Sequence, residues 1–229
     1  MLGFYDYTVI LTYLSAVSAS IGIFVSLQGT GHPYMGVFFL MICGLCDAFD
    51  GKVARMKKDR TETEKKFGIQ IDSLSDLVAF GVLPACIGNA MIRVSPRYPE
   101  VPRLHGDTLL EFPIVCLLFL ILILYVLAAL IRLAYFNVME EERQKKEAGN
   151  RKTYEGLPVT TSALIFPTVL LLQYITTADI TPVYFIIMAL TAFFFVSKIE
   201  VPKPGLKGIL IMIGIGAVEF LILAIAWRL

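Results

Sequence analysis

The sequence predicts an all-α fold, a polytopic bundle of six to seven transmembrane helices with the N-terminus on the cytoplasmic side. Hydrophobic residues make up 57% of the 229 positions and charged residues only 17%, which is less charge than a soluble domain of this length carries. The mean hydropathy is +0.73. Several apolar runs approach the roughly 20 residues that a helix needs to cross a bilayer. These observations exclude a soluble globular domain.

Seven apolar segments are candidate membrane spans, and only short polar loops lie between them. The first follows a segment without basic residues, so we expect it to remain as a span and not to be removed as a signal peptide. The fifth and sixth are short and are expected to form a tight hairpin around the sequence TTADITP. The segments are 7–27, 34–55, 68–92, 112–136, 158–176, 182–197 and 206–228.

Basic residues fall mostly on one side of this predicted bundle. With the N-terminus inside, the inner loops and the neighbouring helix ends hold 15 Lys and Arg residues, and the outer side holds 4. Short loops rich in Lys and Arg stay in the cytoplasm. We therefore expect a multi-pass protein of the cell membrane, with the loop that follows the second span facing the cytoplasm. No nucleic-acid partner is expected.

Four aspartates lie at the predicted inner ends of the second and third spans. Asp47 and Asp50 are three residues apart and Asp72 and Asp76 are four apart, so each pair lies on one helix face. The two spans run antiparallel and share a short loop, so the four carboxylates are expected to converge. Carboxylates without a counter-charge would be costly there, and oxygen-only ligands suit Mg²⁺, Mn²⁺ or Ca²⁺ better than Zn²⁺. Two divalent cations would balance four carboxylates, and such sites usually serve phosphates.

The residues around these aspartates resemble a known signature. The pattern D-x-x-D-G-x-x-A-R, followed by G-x-x-x-D-x-x-x-D, fills residues 47–76 and resembles that of the CDP-alcohol phosphatidyltransferases. The stretches at 72–85, 131–138 and 154–163 look like the phosphatidylserine synthase branch. The resemblance covers roughly residues 35–165, and it implies one integral-membrane domain over 1–229. Twelve residues separate Arg55 from Gly68, which is more than is usual in the family.

The resemblance implies that a CDP-linked lipid gives its phosphatidyl or archaetidyl group to the hydroxyl of L-serine and releases CMP. It also implies two Mg²⁺ or Mn²⁺ ions at the active site, a homodimer, and Asp76 as the general base. The implied metal ligands are Asp47, Asp50, Asp72 and Asp76. The implied CDP-binding residues are Asp50, Gly51, Ala54, Arg55 and Gly68.

Arg132 is the candidate for binding the serine carboxylate or the transferred phosphate, because a lone arginine inside an apolar span is costly. Its planar guanidinium matches either anion bidentately. The alternative is a side chain that extends to the membrane surface without a ligand. Asn137, Arg151 and Lys152 are further candidates for this serine or phosphate site, although a solvated loop is the better explanation for the last two.

Three other functions remain open from the residues. The same chemistry can use another alcohol, such as inositol phosphate or glycerol phosphate, and either diacyl or archaeol tails. An intramembrane prenyltransferase also uses aspartate pairs, but its motifs would lie on two separate helical hairpins. An ion transporter would place its carboxylates near the midplane, often beside broken helices.

Overall fold

The computed structural model is a helical bundle, and it confirms the all-α, polytopic prediction. It describes residues 3–28, 32–96, 111–146, 153–174, 176, 178–202 and 206–226. Within these ranges, three helices are long and apolar enough to cross a membrane, namely Ile10–Leu27, Glu62–Val94 and Pro113–Arg143. Shorter apolar helices lie at Val159–Leu171, Thr181–Val196 and Ile211–Ile222.

Each of the seven predicted spans corresponds to a helical segment. The α-helices are α1 (Ile10–Leu27), α2 (Pro33–Met56), α3 (Glu62–Asp76), α4 (Leu83–Val94), α5 (Glu111–Lys146), α6 (Ser162–Leu171), α7 (Thr181–Val196) and α8 (Leu206–Ala226). A π-helical segment, Leu77–Val82, joins α3 to α4, so that the third span is one continuous helix. Short 3₁₀ turns flank α6 at Val159–Thr161 and Leu172–Tyr174.

Two helices extend further into the polar loops than the apolar pattern predicts. The third span begins at Glu62 instead of residue 68, because Thr61 and Glu64 form a reciprocal capping box at its start. Helix α5 continues about ten residues past the predicted end at 136. Its last turns carry an ion pair of 2.6 Å between Glu140 and Arg143, and a second pair stabilises the following turn.

The hairpin predicted around TTADITP joins α6 to α7. The carboxylate of Asp179 accepts a hydrogen bond from the Thr181 amide at 2.9 Å, at the start of α7. Its other oxygen accepts one from the Ser95 hydroxyl at 2.6 Å, which fixes the hairpin to the end of α4. Helix α7 has 16 residues, or about 24 Å at 1.5 Å per residue. It is therefore shorter than the roughly 30 Å hydrocarbon layer of a typical bilayer.

A two-stranded antiparallel ribbon, not foreseen from the sequence, joins two connections of the bundle. Strand β1 (Thr153–Glu155) pairs with β2 (Glu200–Pro202). Gly156 follows β1 with a φ of +76°, and a Cβ atom there would lie 2.9 Å from the Phe195 carbonyl oxygen. Glycine is therefore required where the chain turns from the ribbon towards α6.

The buried core extends from α1 to α7, and its part between α5, α6 and α7 is rich in aromatic side chains. Tyr125 and Phe166 pack edge to face at 5.6 Å between ring centroids, and Phe166 contacts Tyr184 at 4.9 Å. All three side chains are fully buried. These aromatic rings pack beside the third span, which carries half of the predicted active site.

The segment before α1 is bound to the loop between α2 and α3. The Lys57 ammonium contacts Asp6 at 2.8 Å and Glu64 at 2.7 Å, and the ring of Phe4 packs on Phe67. The hydrogen bond from Lys57 lowers the pKa of Asp6 to about 2. The N-terminal segment thus forms part of the wall at this end of the bundle.

Candidate active site

Helices α2 and α3 bring three of the four predicted aspartates together. One carboxylate oxygen from each of Asp47, Asp50 and Asp72 lies within 4.8 Å of the others. All three side chains are half-buried. The capping box at Thr61 starts α3 only five residues after α2 ends, so the inner ends of the two helices must be neighbours. The spacings predicted that all four carboxylates would converge, and this group contains three of them.

Asp76 lies beside this group of three but outside its 4.8 Å limit. It is the last residue of α3, it is nearly buried, and it feels the negative charges of the other three aspartates. The neighbouring Ser75 hydroxyl donates a hydrogen bond to the Thr12 carbonyl oxygen at 3.1 Å, which holds this turn against α1. Asp76 is thus placed beside the cluster, while its role as a fourth metal ligand stays a prediction.

The helix that carries Asp72 and Asp76 changes geometry directly after them. Pro84 has no amide hydrogen for the carbonyl of Phe80, which would be its partner in a regular α-helix. The Tyr125 hydroxyl donates to that carbonyl oxygen at 2.7 Å instead, and the Ser162 hydroxyl lies 3.4 Å away. The π-helical segment occupies this region, and single turns of this kind are frequent at functional sites.

A cleft of about 190 Å³ opens beside the aspartates at the end of α2 and the start of α3. All five residues predicted to bind CDP line it, namely Asp50, Gly51, Ala54, Arg55 and Gly68. Asp72 lines it as well, so the cleft reaches the carboxylate cluster. Six other lining residues were not predicted from the sequence, namely Thr8, Val9, Thr12, Arg60, Lys65 and Ile69. The unusual length of the segment before Gly68 was the sequence signal that could have identified Arg60 and Lys65.

The Arg132 side chain is held inside the protein. Its residue is 6% exposed, its Nε donates to the Leu157 carbonyl oxygen at 3.2 Å, and its guanidinium lies 5.2 Å from the centre of the Phe136 ring. This arrangement favours a positioned guanidinium over a side chain extended to the membrane surface. Its binding of serine or phosphate stays a prediction.

The other residues predicted for the serine site differ in their placement. The Asn137 side chain donates a hydrogen bond to the Ser73 hydroxyl at 2.7 Å, which links α5 to the residue next to Asp72. Asn137 therefore lies near the cluster and has a structural partner there. Arg151 and Lys152 lie outside the described residues.

The donor set of the cluster fits a hard divalent cation. Asp47, Asp50 and Asp72 supply only carboxylate oxygens, which are the ligands that Mg²⁺, Mn²⁺ and Ca²⁺ prefer. Across the described ranges, no Lys or Arg forms an ion pair with any of the three. A cation would therefore relieve the mutual repulsion of carboxylates that protein side chains leave unbalanced.

Comparisons with known proteins agree with this geometry. The chain is 34% identical over 143 residues to the CDP-diacylglycerol–serine O-phosphatidyltransferase of Saccharomyces cerevisiae, covering 61% of this chain and 43% of the yeast protein. It is 26% identical over 152 residues to the enzyme of the same name from Helicobacter pylori, covering 66% and 52%. It is 29% identical over 194 residues to the archaetidylserine synthase of Methanothermobacter thermautotrophicus, covering 85% and 68%.

The alignments with the yeast and Helicobacter proteins span about half the length of those relatives. The family model of the CDP-alcohol phosphatidyltransferases matches residues 8–197. This range includes the whole signature, the cleft and the helices from α1 to α7, and it is wider than the region in which the sequence alone resembles the family. The chain therefore belongs to the CDP-alcohol phosphatidyltransferase family.

Proposed function

We propose that the protein transfers the phosphatidyl or archaetidyl group of a CDP-linked lipid to the hydroxyl of L-serine and releases CMP. The observation that carries this proposal is a cluster of three carboxylates, two of which line a cleft together with the signature residues. A cleft of this kind can hold a nucleotide, while the apolar bundle accommodates lipid tails. The names of the relatives support serine as the acceptor.

The reaction requires a negatively charged phosphodiester to accept a nucleophile. Two divalent cations, Mg²⁺ or Mn²⁺ in this proposal, supply positive charge that offsets the phosphate oxygens when they are bound. Asp47, Asp50 and Asp72 would hold them, with Asp76 as a further ligand. The residues Gly51, Ala54, Arg55 and Gly68 would bind the CDP moiety together with Asp50. These residues would orient the lipid phosphate for attack.

Asp76 is proposed as the general base that removes the proton of the serine hydroxyl. Its buried carboxylate beside the cluster is suited to a proton transfer that excludes bulk water. Arg132 is proposed to bind the serine carboxylate or the transferred phosphate. Because Leu157 and Phe136 already fix its side chain, little conformational entropy would be lost on binding.

We further propose that the chain acts as one domain over residues 1–229, at the cytoplasmic edge of the cell membrane and as a homodimer. The excess of Lys and Arg at the predicted inner loops supports the orientation. Membership of the family disfavours the prenyltransferase and transporter interpretations. Another acceptor alcohol remains the second candidate, since the carboxylate cluster would serve any alcohol.

Turnover with a panel of substrates tests this function. The purified protein in detergent is supplied with CDP-diacylglycerol or CDP-archaeol, with Mg²⁺, and with L-serine, inositol phosphate or glycerol phosphate. CMP release and the mass of the lipid product are measured, and an Asp50→Asn variant gives the background. We expect CMP and a serine phospholipid. Release of CMP only with another alcohol would overturn serine as the acceptor, and no release with any alcohol would overturn the transfer.

A further inference from the structure

The long loop between α2 and α3 contributes Arg60 to the cleft. Arg60 immediately precedes the cap residue Thr61, and its Nη2 donates to the Glu64 carbonyl oxygen at 3.1 Å. It lines the same cleft as Arg55, which comes from the end of α2. Two guanidiniums therefore reach one small space, and only Arg55 belongs to the family signature.

Each of the two arginines lies against a glycine: Arg55 against Gly51 of α2, and Arg60 against Gly68 of α3. A Cβ atom at Gly68 would be 2.5 Å from Arg60 Nη2, and a Cβ atom at Gly51 would be 3.3 Å from Arg55 Nη1. A side chain at Gly68 would therefore displace the guanidinium of Arg60. Because Gly68 has no side chain, it leaves room for the Arg60 guanidinium beside the cleft.

One donor of the Arg60 guanidinium has no hydrogen-bond partner among the residues that the structure describes. Its Nε is buried and donates no hydrogen bond to any described residue. The nearby acids are engaged elsewhere, because Glu64 pairs with Lys57 and Glu62 pairs with Lys65. Buried donors are nearly always satisfied in folded proteins. A cationic side chain that lines the cleft and keeps an unsatisfied donor points to an anionic ligand.

We propose that Arg60 binds the phosphate group that departs with CMP. This inference rests on the proposed function and deepens it. In the transfer, the serine oxygen bonds to the lipid-side phosphorus while the bond from that phosphorus to the bridging oxygen breaks. The electron pair stays on CMP, whose phosphate gains one negative charge, and the serine proton passes to Asp76. A guanidinium beside that phosphate stabilises the charge that develops on it.

Arg60 and Arg55 would then hold the leaving group from two sides. The planar fork of a guanidinium matches two phosphate oxygens, which a lysine ammonium does not. The extra residues before Gly68 thus add a phosphate contact to the entrance of the cleft, instead of merely lengthening the loop. Arg60 acts on the leaving group and leaves the choice of acceptor alcohol to other residues.

Binding of CMP and of cytidine to the same variants tests this role. The full-length protein in detergent with Mg²⁺ is titrated with each compound, and affinity is read from calorimetry or from the thermal shift. Arg60→Gln is expected to weaken CMP binding about 10- to 100-fold, the range for losing charged hydrogen bonds. Cytidine binding should change little, because it has no phosphate. Lys58→Gln removes a positive charge from the exposed part of the same loop and should leave CMP binding unchanged.

Two further variants keep the test decisive. Arg60→Lys retains the charge without the fork and should also weaken CMP more than cytidine, even if Arg60→Gln does not fold. Gly68→Ala should cost CMP affinity in the wild-type background and much less in the Arg60→Gln background, because the two residues act through one contact. Equal costs in both backgrounds would contradict the contact.

The outcomes separate this inference from the proposed function. If the wild-type protein releases no CMP from a CDP-linked lipid, the proposed function fails whatever Arg60 does. If the wild-type protein turns over and both Arg60 variants bind CMP as tightly as it does, the inference about Arg60 is overturned while the function stands. Equal losses for CMP and cytidine would also overturn it, since they would indicate a purely structural role.

Discussion

Tyr125→Phe removes a single hydroxyl and is expected to destabilise the helix that carries Asp76. The carbonyl of Phe80 has no α-helical partner because residue 84 is proline. Tyr125 supplies the missing donor at 2.7 Å, while the hydroxyl of Ser162 is a longer contact at 3.4 Å. Tyr125 and Phe80 are both fully buried, so water does not replace the lost donor.

The expected loss of stability follows from the burial of the Phe80 carbonyl away from water. A buried acceptor without a partner costs about 1–3 kcal/mol in soluble proteins. Hydrogen bonds between membrane helices average about 0.6 kcal/mol and reach about 1.7. The Tyr125 bond is short, and Ser162 is too distant to replace it fully, so we expect a loss of about 1–2 kcal/mol. In a protein of this size, that corresponds to a decrease of about 2–8 °C in Tm.

Tyr184→Phe is the matched control. Its hydroxyl donates to the Pro84 carbonyl oxygen at 2.8 Å, and it is equally buried. That carbonyl lies in the regular helix α4, where the amide of residue 88 is its backbone partner. The control should therefore lose clearly less stability than Tyr125→Phe. Unfolding of both variants is followed in the same detergent, by heat and by increasing fractions of SDS. Equal losses would refute the argument about the missing amide.

Three further predictions concern the site and the packing beside it. Exhaustive chelation should abolish CMP release, with Mg²⁺ or Mn²⁺ but not Zn²⁺ restoring it, and full activity after chelation would contradict a metal site. Asp76→Asn should lose about 100- to 10,000-fold in turnover but still bind the CDP-lipid. Asp47→Asn should instead be partly rescued by excess Mg²⁺. If excess Mg²⁺ restored wild-type turnover to Asp76→Asn, Asp76 would be a metal ligand only. Gly44→Ala would place a Cβ 2.5 Å from that of Ala163, so it should lower the free energy of unfolding by about 1–3 kcal/mol. Gly214→Ala is the control, because its Cβ would enter open space and should leave that free energy unchanged.

The clustering of the aspartates was predictable because it depends on short-range rules. Asp47 and Asp50 share a face through the helical repeat, and a short connection forces α2 and α3 to lie side by side. The positions of the seven helical segments were predictable for a similar reason, since apolar length is written directly in the sequence. The CDP-binding residues likewise all line one cleft, because they belong to the facing ends of the same two helices.

Features that depend on contacts between distant parts of the chain were not predictable. The partner of the Phe80 carbonyl comes from Tyr125, 45 residues later. The ribbon of β1 and β2 pairs two connections that lie on either side of α6 and α7. Glu219 is nearly buried in α8 and accepts a hydrogen bond from Thr168 of α6. A lone acid in an apolar helix gives no indication of which other helix it will contact.

The separation of Asp76 from the other three aspartates has a consequence for the proposed mechanism. Spacing alone treats Asp72 and Asp76 as equivalent neighbours on one helix face, yet only Asp72 groups with Asp47 and Asp50. A carboxylate bound directly to cations is held in its ionised form and takes up a proton poorly, whereas a general base has to accept one. Asp76 lies outside the 4.8 Å group of the other three, which is consistent with its proposed role as the general base. Pro84 leaves the Phe80 carbonyl without an α-helical partner, so the segment that requires the Tyr125 hydroxyl directly follows the residue proposed as the general base.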